Sequence, residues 1–426
     1  MNAFDTAAVL TAIAAGSGYI NHRFFRLPAT SGTLVVALVS SIALVVADAL
    51  LPSWGLRPAL ATFLDSIDFN EALMHGMLCF LLFAGSLHID LDDLLANRWT
   101  IGALATVGVM LSTLGVGSLT WLIFKAIGAP ADFIVCLVFG ALISPTDPVA
   151  VMGLLKELKA PKTLESQIAG ESLFNDGIAV VVFFALVSVA GLSGATEMET
   201  ITVSAAGLSR FFLQEVLGGA ALGLGLGYVG YRALKSIDEH ALELLITLAL
   251  VMFMYAVSFW IHVSGPIAVV VAGLHIGNQG RRFAMSQRTR EHVDAFWSMV
   301  DEILNAVLFL LLGLQVFTVT AGPQVLVACV LVVPAALAAR FVSVSVPVAA
   351  MSLRGRFVRG IVPILTWTGL RGGISVAMVL SLPKFPARDY LLACTYAVVV
   401  FSILAQGLTV RRVLLHYGVG EPPASS

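Results

Sequence analysis

GESLFNDGIAVVVF, residues 170–183, begins like a helix that crosses a membrane, because its second half is an unbroken apolar run. The same stretch nevertheless carries Glu171, Asn175 and Asp176. Placing an ionisable group inside a bilayer is energetically costly, so such groups usually belong to a functional site. The combination predicts a membrane helix with a functional acidic group near its start.

The composition of the chain is that of a membrane protein. It has 426 residues, of which 58% are hydrophobic and 12% are charged, and its mean hydropathy is +0.95. Soluble proteins carry about 25% charged residues. The net charge of −2 gives no indication of binding to nucleic acid. All four cysteines lie in apolar runs without a CxxC pair, which argues against a disulfide framework or a zinc site.

Thirteen apolar segments are candidate membrane spans, which need about 20 mostly apolar residues. They lie near residues 4–21, 31–51, 70–88, 100–127, 131–155, 169–192, 209–234, 241–260, 263–278, 295–319, 324–351, 360–383 and 389–414. With the N-terminus outside, most of the 24 Lys and Arg residues fall in cytoplasmic loops, as expected for membrane proteins. The first run follows no positively charged leader, which favours a retained span over a cleaved signal. We therefore expect an all-α membrane protein with 13 transmembrane helices, forming one domain over residues 1–426 with a cytoplasmic C-terminus.

The segment ALISPTDPVAV, residues 141–151, is expected to interrupt the fifth span. Pro145 and Pro148 bracket Thr146 and Asp147, and a proline removes a helical hydrogen bond and clashes with the preceding turn. Unwound backbone at membrane depth is tolerated only where it is buried in protein or lines a cavity. Its free carbonyls, together with Thr146 and Asp147, could hold a desolvated cation. The alternative is a simple proline kink in which Asp147 caps the second half of the helix.

The polar residues of the sixth span divide between two faces of its helix. Residues four apart share a face, so Ser172 stacks with Asp176 and Glu171 stacks with Asn175. Glu171 and Asp176 are separated by roughly 140° around the helix axis, so we expect them to serve different partners. The alternative is that both pair structurally with cations. We expect this for Glu171 but not for Asp176, which lies deeper in the apolar run.

A second interruption is expected in LTWTGLRGGISVAMVLSLP, residues 365–383. Arg371 lies in the middle of this run and needs an anionic partner, and Gly372 and Gly373 weaken the helix directly after it. Glu171 is the predicted partner, because a bidentate pair between a guanidinium and a carboxylate would join the two helices. Asp176 would then be the carboxylate without a permanent counter-ion.

The two interrupted runs, the fifth and the twelfth, are seven spans apart, so their orientations in the membrane are opposite. Interrupted helices at matching positions of inverted halves indicate the substrate site of a transporter. Spans 1–6 and 8–13 are therefore candidate inverted six-helix repeats. A desolvated Asp176 could hold either a proton or a small monovalent cation near neutral pH, but not both. A site that faces one side at a time would then exchange these ions, and one-for-one exchange moves no net charge.

Four motifs in this order, SPTDPVAV, GESLFNDG, GLRGGISVA and SILAQGLTV (residues 402–410), make the chain resemble the monovalent cation:proton antiporter-1 family, and in particular bacterial NhaP-type sodium/proton exchangers. The resemblance covers essentially the whole chain. It implies an NhaA/NhaP-like fold with two crossed unwound helices and elevator-like alternating access. It also implies a homodimer, in which core helices about 70–192 and 295–414 move against dimerisation helices about 4–51 and 209–278.

By motif match, the resemblance also assigns roles to the polar residues. Asp176 becomes the essential ion-binding carboxylate, and Asp147 joins it in binding the transported Na⁺. The further assignments are Thr146 beside Asp147 in the first unwound helix, Ser172 as a ligand, Asn175 as the structural partner of Asp176, and Glu171 as the partner of Arg371. The asparagine before the aspartate goes with electroneutral exchange in this family. Ala84 in LLFAGSL departs from the family, since some members carry a glutamate there.

The resemblance implies a transporter of the bacterial inner membrane that is not an enzyme and needs no cofactor. Its partners would be monovalent cations, protons, membrane lipids and a second copy of the chain. Exchange of Na⁺ or Li⁺ for H⁺ is the indicated function, and potassium/proton exchange is the nearest alternative. A cation channel would need a filter of carbonyls or a ring of charges, and a membrane-embedded hydrolase would need a nucleophile–base pair or a metal cluster. The spans contain no motif for either.

The tenth span contains FWSMVDEILNAVLF, which adds Asp301, Glu302 and Asn305 to the polar residues at membrane depth. These side chains could line a cytoplasmic funnel, or they could brace the core against the dimerisation helices. Bracing is the favoured interpretation from the sequence.

Overall fold

The computed structural model describes residues 3–50, 76–192, 205–315, 322–352 and 357–420. Within these ranges the chain forms helices joined by turns, and the β-like contact found there is an isolated antiparallel bridge between Asp147 and Leu370. The predicted spans near 31–51, 70–88 and 295–319 extend partly outside the described residues.

The helices follow one another along the chain with short connections. The first half contains helices Ala3–Ile20, Ala29–Leu50, Leu78–Leu87, Leu91–Ala96, Arg98–Ala103, Val109–Ile127, Phe133–Ile143, Val149–Glu157 and Lys162–Val189. The second half contains helices Ala205–Lys235, His240–Trp260, Gly265–His275, Arg281–Phe283, Gln287–Gln315, Pro323–Ser352, Ile361–Thr368, Gly373–Ser381, Arg388–Phe401 and Gly407–His416. Single π-helical turns lie at Asn21–Phe25, Leu104–Gly108, Ile276–Gly280 and Ser402–Gln406.

In the described part of the chain, seven helices are long and apolar enough to cross a membrane. They are Arg98–Ile127, Lys162–Val189, Arg210–Lys235, His240–Trp260, Gln287–Leu314, Pro323–Ser352 and Arg388–His416. Three shorter apolar helices are Ser31–Leu44, Leu78–Leu87 and Phe133–Ile143. The all-helical, multi-pass membrane architecture is therefore confirmed, whereas the count of thirteen spans stays a prediction.

Burial separates central helices from peripheral ones. In Lys162–Val189 and in Arg388–His416, 61% of the most apolar window is buried, compared with 17% in Arg210–Lys235. The peripheral helix exposes large apolar side chains, among them Leu213, Leu217 and Leu224, which suits a surface that faces lipid. Large side chains that are almost completely buried belong to one hydrophobic core, including Phe83, Phe139, Phe183 and Trp297.

The peripheral helix Ala205–Lys235 packs closely on helix Gly265–His275 through a line of glycines. A Cβ atom at Gly219 would lie 2.6 Å from the carbonyl oxygen of Ser264, so a side chain would not fit there. Gly223, one turn further along, faces the backbone of Ala268. Small residues allow membrane helices to approach this closely, and this contact does not require a ligand.

Both predicted interruptions are present in the structure. The first broken helix consists of Phe133–Ile143 and Val149–Glu157, and the second consists of Ile361–Thr368 and Gly373–Ser381. The residues between the halves meet in the bridge between Asp147 and Leu370. The uninterrupted helix Lys162–Val189, called the acidic helix below, contacts both broken helices.

Candidate cation-binding site

The break in the first helix positions Asp147. The prolines at 145 and 148 prevent a regular helix between the two half-helices, so the chain is non-helical from Ser144 to Pro148. Oδ1 of Asp147 accepts a hydrogen bond from the backbone N–H of Val149, at 2.9 Å. The segment is therefore unwound, and Asp147 also satisfies the N–H of the first residue of the second half-helix, whereas cation binding by this segment stays a prediction.

The break in the second helix is held against the first by backbone contacts. The N–H of Asp147 donates to the carbonyl of Leu370 over 2.8 Å. Gly372 lies directly against Asp147, so that a Cβ atom there would be 2.9 Å from the Cβ of Asp147. A residue with a side chain would push the two breaks apart, which explains why a glycine stands at this position.

Arg371 connects the two breaks through carbonyl groups. Its Nη1 donates to the carbonyl oxygens of Ser144, at 2.5 Å, and Pro145, at 2.9 Å. Its backbone N–H donates to Oγ of Ser402, at 2.8 Å. The carbonyls at the end of a helix are partly negative and lack helical partners, so a guanidinium stabilises them.

The predicted pair of Glu171 with Arg371 is wrong, because Glu171 pairs with Arg340. Nη1 of Arg340 lies 2.5 Å from Oε1 of Glu171, and the two side chains are 6% and 3% exposed. Nη2 of Arg340 also donates to the carbonyl of Leu365 in the second broken helix, at 3.1 Å. The pair therefore joins the acidic helix, helix Pro323–Ser352 and the second broken helix.

The acidic helix is hydrogen-bonded to Thr146 in the first break. Nδ2 of Asn175 donates to Oγ1 of Thr146 at 2.8 Å, and the N–H of Thr146 donates to Oδ1 of Asn175 at 3.3 Å. The hydroxyl of Ser172 donates to the carbonyl of Thr146. Asn175 and Ser172 thus hold Thr146 and its neighbour Asp147 beside the next acidic side chain, Asp176.

Asp176 differs from the other polar residues of the site, because one of its carboxylate oxygens makes no hydrogen bond to the described residues. It is buried, and its Oδ1 has no hydrogen-bond partner among the described residues. The charges of Asp147 and Arg371 act on it, but no described Lys, Arg or His lies within ion-pair distance. The geometry therefore leaves one buried carboxylate open to a ligand.

A cavity of about 1090 Å³ reaches Asp176 from one end of the molecule. The acidic helix contributes one face to its wall, which consists of Lys162, Glu165, Ser166, Ala169, Ser172, Leu173 and Asp176. Helix Gln287–Gln315 also contributes to the wall, through Ser298, Asp301, Glu302, Asn305, Ala306 and Leu308. For Asp301, Glu302 and Asn305 the structure favours the funnel over the bracing interpretation.

The cavity carries an excess of negative charge. Its wall contains eight carboxylates and three Lys or Arg residues. A cleft of one charge sign raises the local concentration of ions of the opposite sign. Asp147 and Asp176 lie at the deep end with the hydroxyls of Thr146 and Ser172, so the ligand set there is made of oxygen atoms, which suits a hard cation.

Comparison with known proteins identifies the family. Residues 8–416 match the family model described as "Sodium/hydrogen exchanger, transmembrane". The chain belongs to this family. The exchanger is 44% identical over 422 residues to the "Na(+)/H(+) antiporter NhaP" of Pseudomonas aeruginosa, covering 98% of each chain. It is 33% identical over 360 residues to the "Na(+)/H(+) antiporter NhaH" of Halobacillus dabanensis, covering 82% and 84% of the two chains.

A solved structure supports the fold of the exchanger. The sodium proton antiporter MjNhaP1 from Methanocaldococcus jannaschii, determined at pH 8, superposes with a TM-score of 0.72. The match covers 96% of this chain and 97% of that one, at 15% sequence identity. The predicted family is confirmed by the sequence matches, and the overall NhaP-like architecture by the structural match.

Two residues of the exchanger site were missed from the sequence. Arg340 lies within the eleventh predicted span, and as an arginine at membrane depth it carried the same signal as Arg371. Ser402 is the first residue of the fourth motif, but a serine in an apolar run has no distinctive pattern. Its role depends on the unwound backbone at Arg371, whose N–H needs an acceptor.

Proposed function

We propose that this protein is a secondary active antiporter that exchanges Na⁺ or Li⁺ for H⁺ across the membrane. The observation that carries the proposal is Oδ1 of Asp176, which is buried at the deep end of a cavity without a partner among the described residues. A buried, unpaired carboxylate is unfavourable unless its charge is neutralised. A proton or an alkali cation would each neutralise it, and the arrival of one displaces the other.

In this proposal Asp147 and Asp176 supply the negative charge for Na⁺, and Thr146 and Ser172 supply neutral oxygens. Asn175 acts through its two hydrogen bonds to Thr146, which keep the first break in place beside Asp176. Glu171 acts with Arg340 instead of Arg371, and this pair fixes the acidic helix relative to the second broken helix. The relatives named as Na⁺/H⁺ antiporters support sodium as the exchanged cation over potassium.

Alternating access is the second part of the proposal. The cavity opens at the end that carries Lys156, Lys162 and Arg411, which is cytoplasmic in the predicted topology. Exchange requires that Asp176 also faces the other side, and movement of the core against the dimerisation helices would achieve this. The proposal therefore includes thirteen spans in two inverted six-helix repeats, a homodimer, and a place in a bacterial inner membrane.

The experiment uses proteoliposomes with an imposed pH gradient and an internal pH-sensitive dye. Na⁺, Li⁺ or K⁺ is added in turn to vesicles containing wild type, Asp176→Asn or Asp92→Asn. Asp92 is an exposed carboxylate outside the cavity wall, so its variant controls for the loss of a charge. We expect Na⁺ and Li⁺ to collapse the gradient with wild type and Asp92→Asn, and no collapse with Asp176→Asn.

The results separate the parts of the proposal. Unchanged exchange in Asp176→Asn would refute the role of this carboxylate. Collapse of the pH gradient by K⁺ at concentrations where Na⁺ has no effect would identify potassium, and not sodium, as the exchanged cation. An exchange rate that rises when an inside-negative or inside-positive potential is applied would refute one-for-one exchange, because that process moves no net charge.

A further inference from the structure

Two buried oxygens at the deep end of the cavity lack hydrogen-bond partners among the described residues. One is Oδ1 of Asp176, and the other is Oγ of Ser375 on the second broken helix. Ser375 has 0% of its surface exposed, so bulk water does not satisfy its hydroxyl. A buried hydroxyl that makes no hydrogen bond destabilises the folded protein. The position of Ser375 on the cavity wall therefore needs an explanation.

The backbone explains why this hydroxyl is free. Serine and threonine in helices usually donate to the carbonyl three or four residues earlier. In the second broken helix, Thr366 and Thr368 donate to the residue four before them, and Ser381 donates to Met378. For Ser375 the corresponding residues are Arg371 and Gly372, which precede the helix, and Gly372 is extended with φ −117° and ψ −162°. The break thus removes the acceptor that the hydroxyl would otherwise have.

We propose that Ser375 supplies a hydroxyl oxygen to the transported cation while Asp176 supplies the charge. The inference rests on the proposed exchange and extends it to the second broken helix, which contains no carboxylate. Discontinuous helices in transporters bind their ions through groups freed by the interruption. Ser375 is such a group. The cation would then contact the acidic helix through Asp176 and the second broken helix through Ser375, so that ion occupancy biases the relative position of both.

Ser112 provides a matched control for this proposal. Its hydroxyl is also buried and without a partner among the described residues, but it lies in helix Val109–Ile127 and does not line the cavity. Ser375→Ala removes the hydroxyl oxygen, Ser375→Thr keeps it, and Ser112→Ala removes an equivalent hydroxyl elsewhere. In the same series, Asp176→Asn tests the role of this carboxylate, and wild type tests the proposed exchange itself.

The first measurement is the Na⁺ concentration that gives half-maximal exchange in proteoliposomes. We expect Ser375→Ala to raise it about tenfold, equivalent to about 1.4 kcal/mol of binding free energy, because the cation loses one oxygen ligand. Ser375→Thr should stay within about twofold of wild type by the same reasoning, and Ser112→Ala should not differ. The maximal rate should change much less than the half-maximal concentration, because the loss concerns binding of the cation.

The second measurement does not depend on turnover. Na⁺ that binds the folded protein stabilises it increasingly as its concentration rises above the dissociation constant, so melting in detergent is followed over a Na⁺ series at alkaline pH. The onset of stabilisation should move to higher Na⁺ in Ser375→Ala but not in Ser112→Ala. Equal Na⁺ dependence of Ser375→Ala and wild type in both assays would overturn the assignment of Ser375, as would equal shifts in the two alanine variants. Exchange by Asp176→Asn would instead refute the role of Asp176, and a wild-type protein that does not collapse the gradient with Na⁺ or Li⁺ would overturn the proposed function.

Discussion

Replacing Arg340 by alanine is expected to destabilise the protein strongly, because Glu171 would be left buried without its ionic partner. The two side chains are 6% and 3% exposed, and their closest atoms are 2.5 Å apart. Removing one member of such a pair costs about 3–5 kcal/mol. The bond from Arg340 to the carbonyl of Leu365 would be lost too, which adds about 1 kcal/mol. We therefore expect the free energy of unfolding to fall by about 4–6 kcal/mol.

The assay is equilibrium unfolding of the purified protein in mixed micelles, arranged as a double-mutant cycle. Glu171→Gln should cost less than Arg340→Ala, because the amide keeps an oxygen that can accept from the guanidinium. The double variant Glu171→Leu/Arg340→Met should recover most of the loss, since apolar side chains of similar volume often replace a buried pair without penalty. Arg411→Ala is the matched control. Its partner is Glu157 at 3.1 Å, but these side chains are 47% and 58% exposed, so we expect a change of about 0–1 kcal/mol.

A second cycle tests the alternative pairing of Glu171 with Arg371. The guanidinium of Arg371 contacts carbonyl oxygens and not the Glu171 carboxylate. The coupling energy between Glu171 and Arg371 should therefore be smaller than that between Glu171 and Arg340. A coupling near zero for Arg340 together with a large coupling for Arg371 would refute the pairing described above.

Three further changes test the packing and the site. Gly223→Ala should lower the free energy of unfolding by about 1–3 kcal/mol in the same assay, because the new Cβ meets the facing backbone. Gly225→Ala has open space around it and should not destabilise the protein, so equal effects of the two variants would contradict the close contact. Asn175→Ala should raise the half-saturating Na⁺ concentration and lower the free energy of unfolding by about 1–3 kcal/mol, because both hydrogen bonds to Thr146 are lost. A variant with the wild-type Na⁺ concentration and the wild-type stability would exclude the positioning role. Arg371→Gln should slow exchange in proteoliposomes and lower stability, because a neutral amide holds the carbonyls at the break less strongly; an unchanged rate and melting temperature would contradict this.

The interruptions could be predicted from the sequence because their causes are local. Pro145 and Pro148 exclude a regular helix between them whatever surrounds them. The pair Gly372 and Gly373 weakens a helix in the same local way. The placement of Asp147, Thr146 and Asp176 near one another then followed from motifs whose order matches the family. What the motifs do not encode is which side-chain atoms touch.

The partner of Glu171 could not be derived in this way. Its position is 169 residues from Arg340, and two arginines at membrane depth were available to it. The choice between them depends on the rotation and depth of three helices, which apolar periodicity leaves open. The predicted break itself leaves backbone carbonyls unpaired, and the guanidinium of Arg371 binds these instead of a carboxylate.

The unpartnered hydroxyl of Ser375 could not be predicted from the sequence for a related reason. A serine in an apolar run ordinarily bonds to its own helix, so it attracts no attention. Its exception depends on the extended conformation of Gly372, which only the three-dimensional structure describes. The four-residue spacing of Asp301 and Asn305 predicts that they share one face of helix Gln287–Gln315. The sequence does not show that this face lines the cavity.

The pairing of Glu171 with Arg340 distributes the formal charges of the site without changing their sum. Arg340 neutralises Glu171, so the charge of Arg371 is left to offset one of the two deep carboxylates, Asp147 and Asp176. The buried region then carries one unbalanced negative charge, which is unfavourable at low dielectric. One proton or one Na⁺ removes that charge, whereas both together would leave an excess of positive charge. Either pairing of Glu171 leaves the same sum, because both arginines lie in the site with the three carboxylates. The formal charge of −1 supports the proposed exchange of one cation for one proton.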